Sequence, residues 1–350
     1  MKLKILLLGG AFIALNSLSI NAQNFSSIDN KSGKIFFYKV IDEKNHQVAI
    51  VKNDKPKATN SAGVLTIPES VKFLGKDYIV KEIAENAFSN CDSINKIYLP
   101  ASIDSIAKNA FFNCTNLSGV TFSAKQVRVD EKAFSECVSI EDVTIGGDWN
   151  KIDMKIFADS KKLAELYIPA KVKIINNLKD LKKLSKIDID SNNPYYSSIN
   201  GLLLNKANTE LLICPVGKKG ELKIPEGVKV IRKGSLVNAK ELTQIDFPST
   251  LETLYFRELY RLINLKSITF RSEKVINTAL DINNNPVFVL EIDVDKDFKI
   301  LVPSKAKKLY SKICSEEGYY KEIGNDKSES VLIKDRKLAK SKMISGVKKF

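Results

Sequence analysis

Apolar residues recur along the middle of this chain at a step of 23 residues. Ala87-Phe88-Ser89-Asn90-Cys91 returns as Ala110-Phe111-Phe112-Asn113-Cys114 and again as Ala133-Phe134-Ser135-Glu136-Cys137. A fourth copy, Ile156-Phe157-Ala158-Asp159-Ser160, keeps the step and relaxes the residues. Ile94, Leu117, Ile140 and Leu163 hold the same register, and so do Ile97, Val120, Val143 and Leu166. Self-similarity at a fixed period of this length marks a repeat architecture.

Each module predicts the same elements. Ile97-Tyr98-Leu99-Pro100 and Leu166-Tyr167-Ile168-Pro169 alternate with period two, which predicts a short strand with one face inward. The proline closes the strand because it has no backbone N–H to donate. A second apolar pair follows, Ile103 and Ile106 or Val172 and Ile175, and then the Ala-Phe turn sends a large ring into the interior. A single module cannot bury its apolar side. Stacked modules can, strand upon strand about 4.8 Å apart. The expectation is a coil carrying one continuous parallel sheet.

The array has irregularities. The coil from Leu166 to Ile187 is two residues short. After it, Asn200-Gly201 and Leu202 to Leu204 predict a hairpin whose return strand is Glu210 to Cys214. The spiral resumes at Leu222, Ile224 and Pro225. Leu236, Ala239 and Leu242, then Leu259, Leu262 and Leu265, take the columns of Phe88, Cys91 and Ile94. Beyond Phe270 the register fades. Lys34 to Val51 alternates as two strands of an N-terminal cap, and Val71 to Ile83, with Gly75 inside it, reads as a hairpin-like widening of the first coil. Val287 to Val302 is strand-rich and closes the other end. Lys305 to Cys314 reads as a terminal helix.

The spacing Ile-x-Leu/Ile-Pro, then Val/Ile-x-x-Ile, then Ala-Phe-x-x-Cys-x-x-Leu resembles the BspA-like, or treponemal-type, leucine-rich repeat. Asn192-Asn193-Pro194-Tyr195-Tyr196 through Cys214-Pro215 to Ile224-Pro225 is similar to an insertion that recurs in that family, and Val302-Pro303 followed by Tyr310 is similar to its usual ending. The resemblance covers about Gly63 to Ile323. It implies a right-handed leucine-rich repeat solenoid, β-rich, with parallel strands on the concave face, short helical or irregular turns outside, and β caps. It also implies an exported or surface-exposed protein, since some members are adhesins that bind matrix proteins or cells. It names no single ligand. Ser235-Leu236 and Glu258-Leu259 depart from Ala-Phe, so those coils are expected to pack differently.

The ends set the domain expectation. Lys2 and Lys4 precede an apolar stretch from Ile5 to Leu15, and Asn21-Ala22-Gln23 follows, so residues 1–22 read as a signal peptide. The apolar run is too short, and too soon followed by Asn16 and Ser17, for a membrane span. Residues 23–63 are the N-terminal β cap. Residues 64–323 are the repeats, with the insertion at about 190–221 and the closing cap from about 287. Residues 324–350 are a basic tail. The expected location is extracellular or at the cell surface, with the periplasm as the alternative.

The formal charge of +14 is unevenly spread. Lys334, Arg336, Lys337, Lys340, Lys342, Lys348 and Lys349 stand against Asp335 alone in the last twenty residues. Such a tail suits peripheral contact with an anionic surface, and export argues against nucleic acid as a partner. Attachment of an envelope scaffold through this tail is the alternative to a binding role.

The chain lacks the ingredients of catalysis. Its one histidine, His46, has no ligand spacing around it, and no phosphate-cradling glycine loop, nucleophile elbow or zinc spacing is present. No enzymatic activity, cofactor or metal is expected. Cys91, Cys114 and Cys137 are spaced by the repeat itself, so they should stand above one another as buried free thiols rather than form disulfides. Cys214 and Cys314 fall outside that column and remain unassigned.

The candidate ligand surface is the outward side of the face strands. It comprises Lys96, Tyr98, Thr121, Thr144, Tyr167, Asp188, Lys223 and Asp246, with Asp142, Glu165, Lys186, Gln244 and Thr269 beside them. Tyr195 and Tyr196 of the insertion form a second candidate. The expected partner is a protein or glycan, recognised partly through tyrosine.

Overall fold

A computed structural model describes residues 24–52, 62–123, 125–255, 258–259, 262–274, 276–277 and 299–306, and the backbone of short strands at 11–12, 279–280, 286–287, 321–322 and 329–333. The chain divides into two compact units, Met1–Lys182 and Lys183–Phe350.

In the first unit the face strands Gly63–Thr66, Ile94–Leu99, Gly119–Phe122 and Asp142–Thr144 form one parallel ladder. Leu65, Ile97, Val120 and Val143 are paired across it, all pointing into the core. The expected single continuous sheet is corrected here. The second apolar pair of each module also forms strands, and they make a separate parallel sheet. Lys76–Ile83, Ser105–Ile106 and Arg128–Val129 follow one another in it, and Lys151–Asp153 pairs with Ile174–Asn176 further along. Several of these strands have only two residues, too few for alternation to show in the sequence.

The turns stack as well. The backbone N–H of Phe88 donates to Ala110 O at 2.7 Å, and that of Phe111 to Ala133 O at 2.9 Å. Asn86, Asn90, Asn109, Asn113 and Glu136 hold left-handed φ at these corners. Asparagine tolerates that region better than most residues, which explains its recurrence in the motif. Alanine is needed beside the ring because its position is sealed: Ala110 and Ala133 are fully buried. The rings of Phe88, Phe111 and Phe134 are piled as neighbours, 5.2 and 5.1 Å apart and within 7° of parallel.

The N-terminal strands form an antiparallel meander, Asn24–Ile28, Ile35–Asp42 and Gln47–Ile50. It has one strand more than the two expected, because Asn24–Ile28 buries only Phe25 and so shows little alternation. Gln47–Ile50 then runs parallel to Lys76–Ile83, leading the meander into the second sheet. Ser70–Phe73 and Lys76–Ile83 form the expected hairpin, turning through Leu74 and Gly75 at φ 51 and 80°. Of the proposed leader, only the strand Ala11–Phe12 is described, paired antiparallel with Asn24–Ile28.

The second unit repeats the plan. Tyr196–Ile199, Leu202–Asn205 and Glu210–Ile213 form an antiparallel meander, so the single hairpin expected here is corrected to three strands. Asn200-Gly201, both at positive φ, is the turn between the first two strands rather than a preface to one hairpin. Glu210–Ile213 then runs parallel to Val230–Ile231 and onward to Thr253–Leu254. The insertion therefore feeds the second sheet of this unit, as the N-terminal meander feeds that of the first. The face sheet runs Gly220–Lys223, Leu242–Phe247, Ser267–Phe270 and Lys299–Pro303, all parallel. Glu329–Ile333 closes it antiparallel and itself pairs with Lys321–Glu322. The segment read as the start of a basic tail thus lies in the sheet. An added strand removes an exposed edge. The proposed terminal helix lies mostly outside the described residues, as do Cys314 and residues 334–350.

Candidate binding surface

On the face sheet of the first unit, strand pleating sends alternate side chains outward, and the ladder register aligns them in rows. One row is Thr66, Tyr98, Thr121 and Thr144. Its neighbour is Val64, Lys96, Gly119 and Asp142. Tyr98 is 42% exposed, Lys96, Thr144 and Asp142 are exposed, and Thr121 is half-buried. Tyr167 stands 23 residues beyond Thr144 and is 50% exposed. Its coil is joined to the preceding one where Lys161 N–H donates to Val138 O at 3.0 Å. The methylene stem of Lys96 lies across Gly119, close enough that a Cβ there would meet Lys96 Cγ at 3.3 Å. A side chain at Gly119 would crowd that stem and force it to shift.

In the second unit, Lys223, Asp246, Thr269 and Leu301 form one row, and Glu221, Gln244, Ser267 and Lys299 the next. Lys223 is exposed. Asp246 is a correction. It is only 8% exposed, because Arg271 donates from Nε to Oδ1 and from Nη2 to Oδ2, both at 2.7 Å. A bidentate guanidinium occupies both carboxylate oxygens, so Asp246 offers a ligand little. Arg271 is 25 residues away in sequence, which hides the pair from any local pattern. Asp188 is half-buried and forms an ion pair with Lys186 at 2.6 Å.

The insertion presents Tyr195 exposed and Tyr196 half-buried, with ring centroids 6.4 Å apart. Burial raises the Tyr196 hydroxyl above the usual tyrosine range. Both backbone N–H groups donate to Oδ1 of Asn193, at 2.9 and 3.0 Å. Asn193 itself is fully buried. It is a positioning residue that spacing alone does not single out.

Away from the sheet face, polar side chains are tied to the neighbouring coil. Asn113 donates to Asn90 Oδ1 at 2.8 Å, Thr115 to Asp92 Oδ1 at 2.8 Å, and Ser118 to Asn95 O at 3.1 Å. Lys155 pairs with Glu131 at 2.6 Å and Lys171 with Asp148 at 2.5 Å. These positions are engaged in holding coils together.

The thiol column holds, with one correction. Cys91, Cys114, Cys137 and Cys214 are free, but Cys91 is only partly buried. Cys114 Sγ donates to Phe88 O at 3.2 Å and Cys137 Sγ to Phe111 O at 3.0 Å, so the thiols link successive coils. Burial pushes the Cys91 thiol up to about 11 and the Cys214 thiol to about 12. Cys114 is raised first by the adjoining Cys137 thiol and then by burial. Thiols held protonated are poor nucleophiles. His46 packs its ring 5.1 Å from that of Tyr78 at a left-handed corner, a structural setting. Among the described residues no three His, Cys, Asp or Glu stand together as a metal site, and no helix is long and apolar enough to cross a membrane.

The BspA type leucine rich repeat region matches residues 81–198 and 218–282 in 6 copies, more than half of the chain. No curated protein matches. Among solved structures, the pneumococcal vaccine antigen PcpA is similar at 17% identity, covering 83% of this chain and 96% of its own, with a TM-score of 0.47. A leucine-rich repeat protein from Bacteroides ovatus is similar at 17% identity, over 69% of this chain and 65% of its own, TM-score 0.42. A leucine rich cell surface protein from Faecalibacterium prausnitzii is similar at 21% identity, over 71% and 76%, TM-score 0.38.

Proposed function

The chain belongs to the BspA-type leucine-rich repeat family, and on that premise we propose that it is an exported or cell-surface binding protein of adhesin type. It captures a protein or glycan through the outward face of its strands. The observation that carries this reading is the contrast in polar chemistry around the first unit. Side chains at the turns are bonded from coil to coil, whereas Tyr98 stands exposed on the sheet without a side-chain hydrogen bond, and Tyr167 presents a half-exposed ring one repeat beyond Thr144. A large aromatic in water costs apolar hydration, and a partner that covers it recovers that cost. Tyrosine is also enriched where binding energy concentrates.

The experiment is capture from host matrix and bacterial envelope extracts by the chain lacking residues 1–22, beside a Tyr98→Ala/Tyr167→Ala variant. The reading expects a captured component that the variant loses, with circular dichroism unchanged. Capture indifferent to both substitutions would remove the sheet face from consideration. A tail deletion is a poor companion experiment if it begins at Val331, since that would cut into the strand Glu329–Ile333 that closes the second face sheet.

A further inference from the structure

We propose that the row Thr66, Tyr98, Thr121, Thr144 and Tyr167 is a track for an uncharged, extended carbohydrate chain. The proposal rests on the binding role proposed above and gives it a ligand class.

The row is chemically uniform. All five side chains carry a hydroxyl and none carries a charge. They occupy successive coils, the first four in direct ladder register and the fifth one repeat further on. Among the described residues, the hydroxyls of Thr66, Tyr98, Thr121 and Thr144 take part in no side-chain hydrogen bond. Thr115 and Ser118, in the same coils, both bond to the coil before. The hydroxyls of Thr66, Tyr98, Thr121 and Thr144 therefore remain open to another partner. Each can donate once and accept twice, which matches the mixed donor and acceptor character of a sugar hydroxyl.

The relief of the row fits the same ligand. Tyr98 and Tyr167 are large; Thr144 lies two strand steps from Tyr98, about 10 Å, and Tyr167 stands on the next coil. Thr121 and Thr144 lie between them as a lower floor. The faces of a phenol ring are apolar and electron-rich, so they accept the C–H face of a pyranose. Beside the floor, Gly119 lets the Lys96 stem lie flat, which keeps the neighbouring row low.

Other ligand classes fit less well. A peptide added as a strand needs free backbone groups at a sheet edge, and those of Ile94–Leu99 and Gly119–Phe122 are taken by neighbours on both sides. A polyanion needs a cationic surface, but the row is neutral and its neighbours include Asp142 and Glu165 as well as Lys96. A globular protein remains an outcome of the test.

The test prints the chain lacking residues 1–22 against an array of neutral glucans, mannans, xylans and galactans, with heparin and gelatin as polyanion and protein probes. Hits are titrated calorimetrically. The proposal expects binding to at least one neutral polysaccharide. Tyr98→Ala and Tyr167→Ala should each weaken it roughly tenfold, as expected for loss of an anchoring aromatic. Tyr98→Phe should retain most of the affinity, because the ring face survives. Thr121→Val/Thr144→Val should weaken it less. Melting temperatures of the variants should match the parent, since none of the four positions is buried. Binding to no neutral polysaccharide at millimolar concentration overturns the proposal. If gelatin or an extract protein is instead captured in a Tyr98-dependent manner, the carbohydrate class falls and the binding face stands. If no probe responds to Tyr98 and Tyr167, both fall together.

Discussion

In the coils from Ala87 to Ser160 every turn holds an aromatic ring, and Phe122 is the one ring at a face-strand end, whereas from Leu236 to Phe270 the turns hold leucine and the rings stand at the face-strand ends. Phe88, Phe111 and Phe134 stack in the first unit, and Phe157 continues the column 5.3 Å on at a 38° tilt. In the second unit the turn positions hold Leu236 and Leu259, and the stacked pair is Phe247 and Phe270, 5.0 Å apart at 15°. Within the first unit the turn and strand-end positions face each other, as the contact of Phe122 with Phe134 at 6.4 Å shows. Outside the coil of Phe111 and Phe122, which holds both rings, each of these coils pairs one ring with one aliphatic side chain, Phe134 with Ile145 or Leu236 with Phe247, an exchange of the kind a packed core tolerates. The turn changes its bonding at the same time. In the first unit the N–H of Phe88 donates to the Ala110 carbonyl. In the second, the N–H of Leu236 donates to the carboxylate of Glu258, which is 2% exposed and also accepts from Gly234 N–H. A side chain there replaces a backbone carbonyl. Each coil thus needs a filled interior and satisfied donors at its turn, and the residues supplying them differ between the two units.

The largest expected effect tests the ring column. Phe111 is fully buried with a ring on each side. Phe111→Ala should cost about 3–5 kcal/mol. In a linear stack each coil is stabilised by its neighbours, so the loss should also split the melt of the first unit into separate transitions. Phe247→Ala should cost a similar amount and leave the first unit's melt in place. Calorimetry of both variants checks this. If Phe111→Ala lowers one sharp transition by only a few degrees, the column is not what holds these coils together.

How much of this was legible depends on how far apart the interacting residues lie. The columns were readable because each inward position recurs at 23 residues and a large ring is hard to place elsewhere. Face strands were readable because Ile94–Leu99 is long enough to alternate. The second sheet was not, since Ser105–Ile106 offers no period. Asn200-Gly201 marked a turn correctly, but which strands it joined depended on Tyr196–Ile199, whose residues are all half-buried and carry no pattern. At the candidate surface, outward positions followed from strand parity. Whether an outward residue is open did not: Asp246 is closed by Arg271, a long-range partner.

A smaller effect sharpens the thiol column. Ser160 continues Cys91, Cys114 and Cys137 at the same step, and it is buried. Its Oγ has no hydrogen-bond partner, whereas the two thiols above reach the Phe carbonyl of the preceding coil. The C–S bond is longer and sulfur tolerates longer contacts, so a thiol should reach where the hydroxyl falls short. Ser160→Cys should therefore stabilise the first unit by about 1 kcal/mol, by relieving a buried unpaired hydroxyl. Chemical denaturation with an unchanged m-value checks it. Destabilisation would mean that the column has no room for sulfur at this coil.

The smallest effect separates surface ion pairs from the packing beneath them. Asp104 accepts from Lys125 at 2.5 Å and lies 3.2 Å from Lys81, linking three successive coils. The Lys125 hydrogen bond, followed by that of Lys81, holds the Asp104 carboxyl below the usual carboxylate range, and partial burial opposes them. A depressed folded pKa stabilises the folded state above the unfolded value, near 3.9, and the gain disappears as pH falls through the lower folded value. Because the carboxylate is 40% exposed, solvent screens most of this gain. Asp104→Asn should cost only about 0–1 kcal/mol at neutral pH. The gap between parent and variant should narrow as pH drops below about 4, and it should shrink in high salt. Urea midpoints across that pH range measure it directly. A cost that persisted undiminished at pH 2 would mean that the Asp104 side chain acts through its fit at this corner and not through its charge. The coils would then owe their register to turns and rings alone, with the lysine and carboxylate ladders serving solubility.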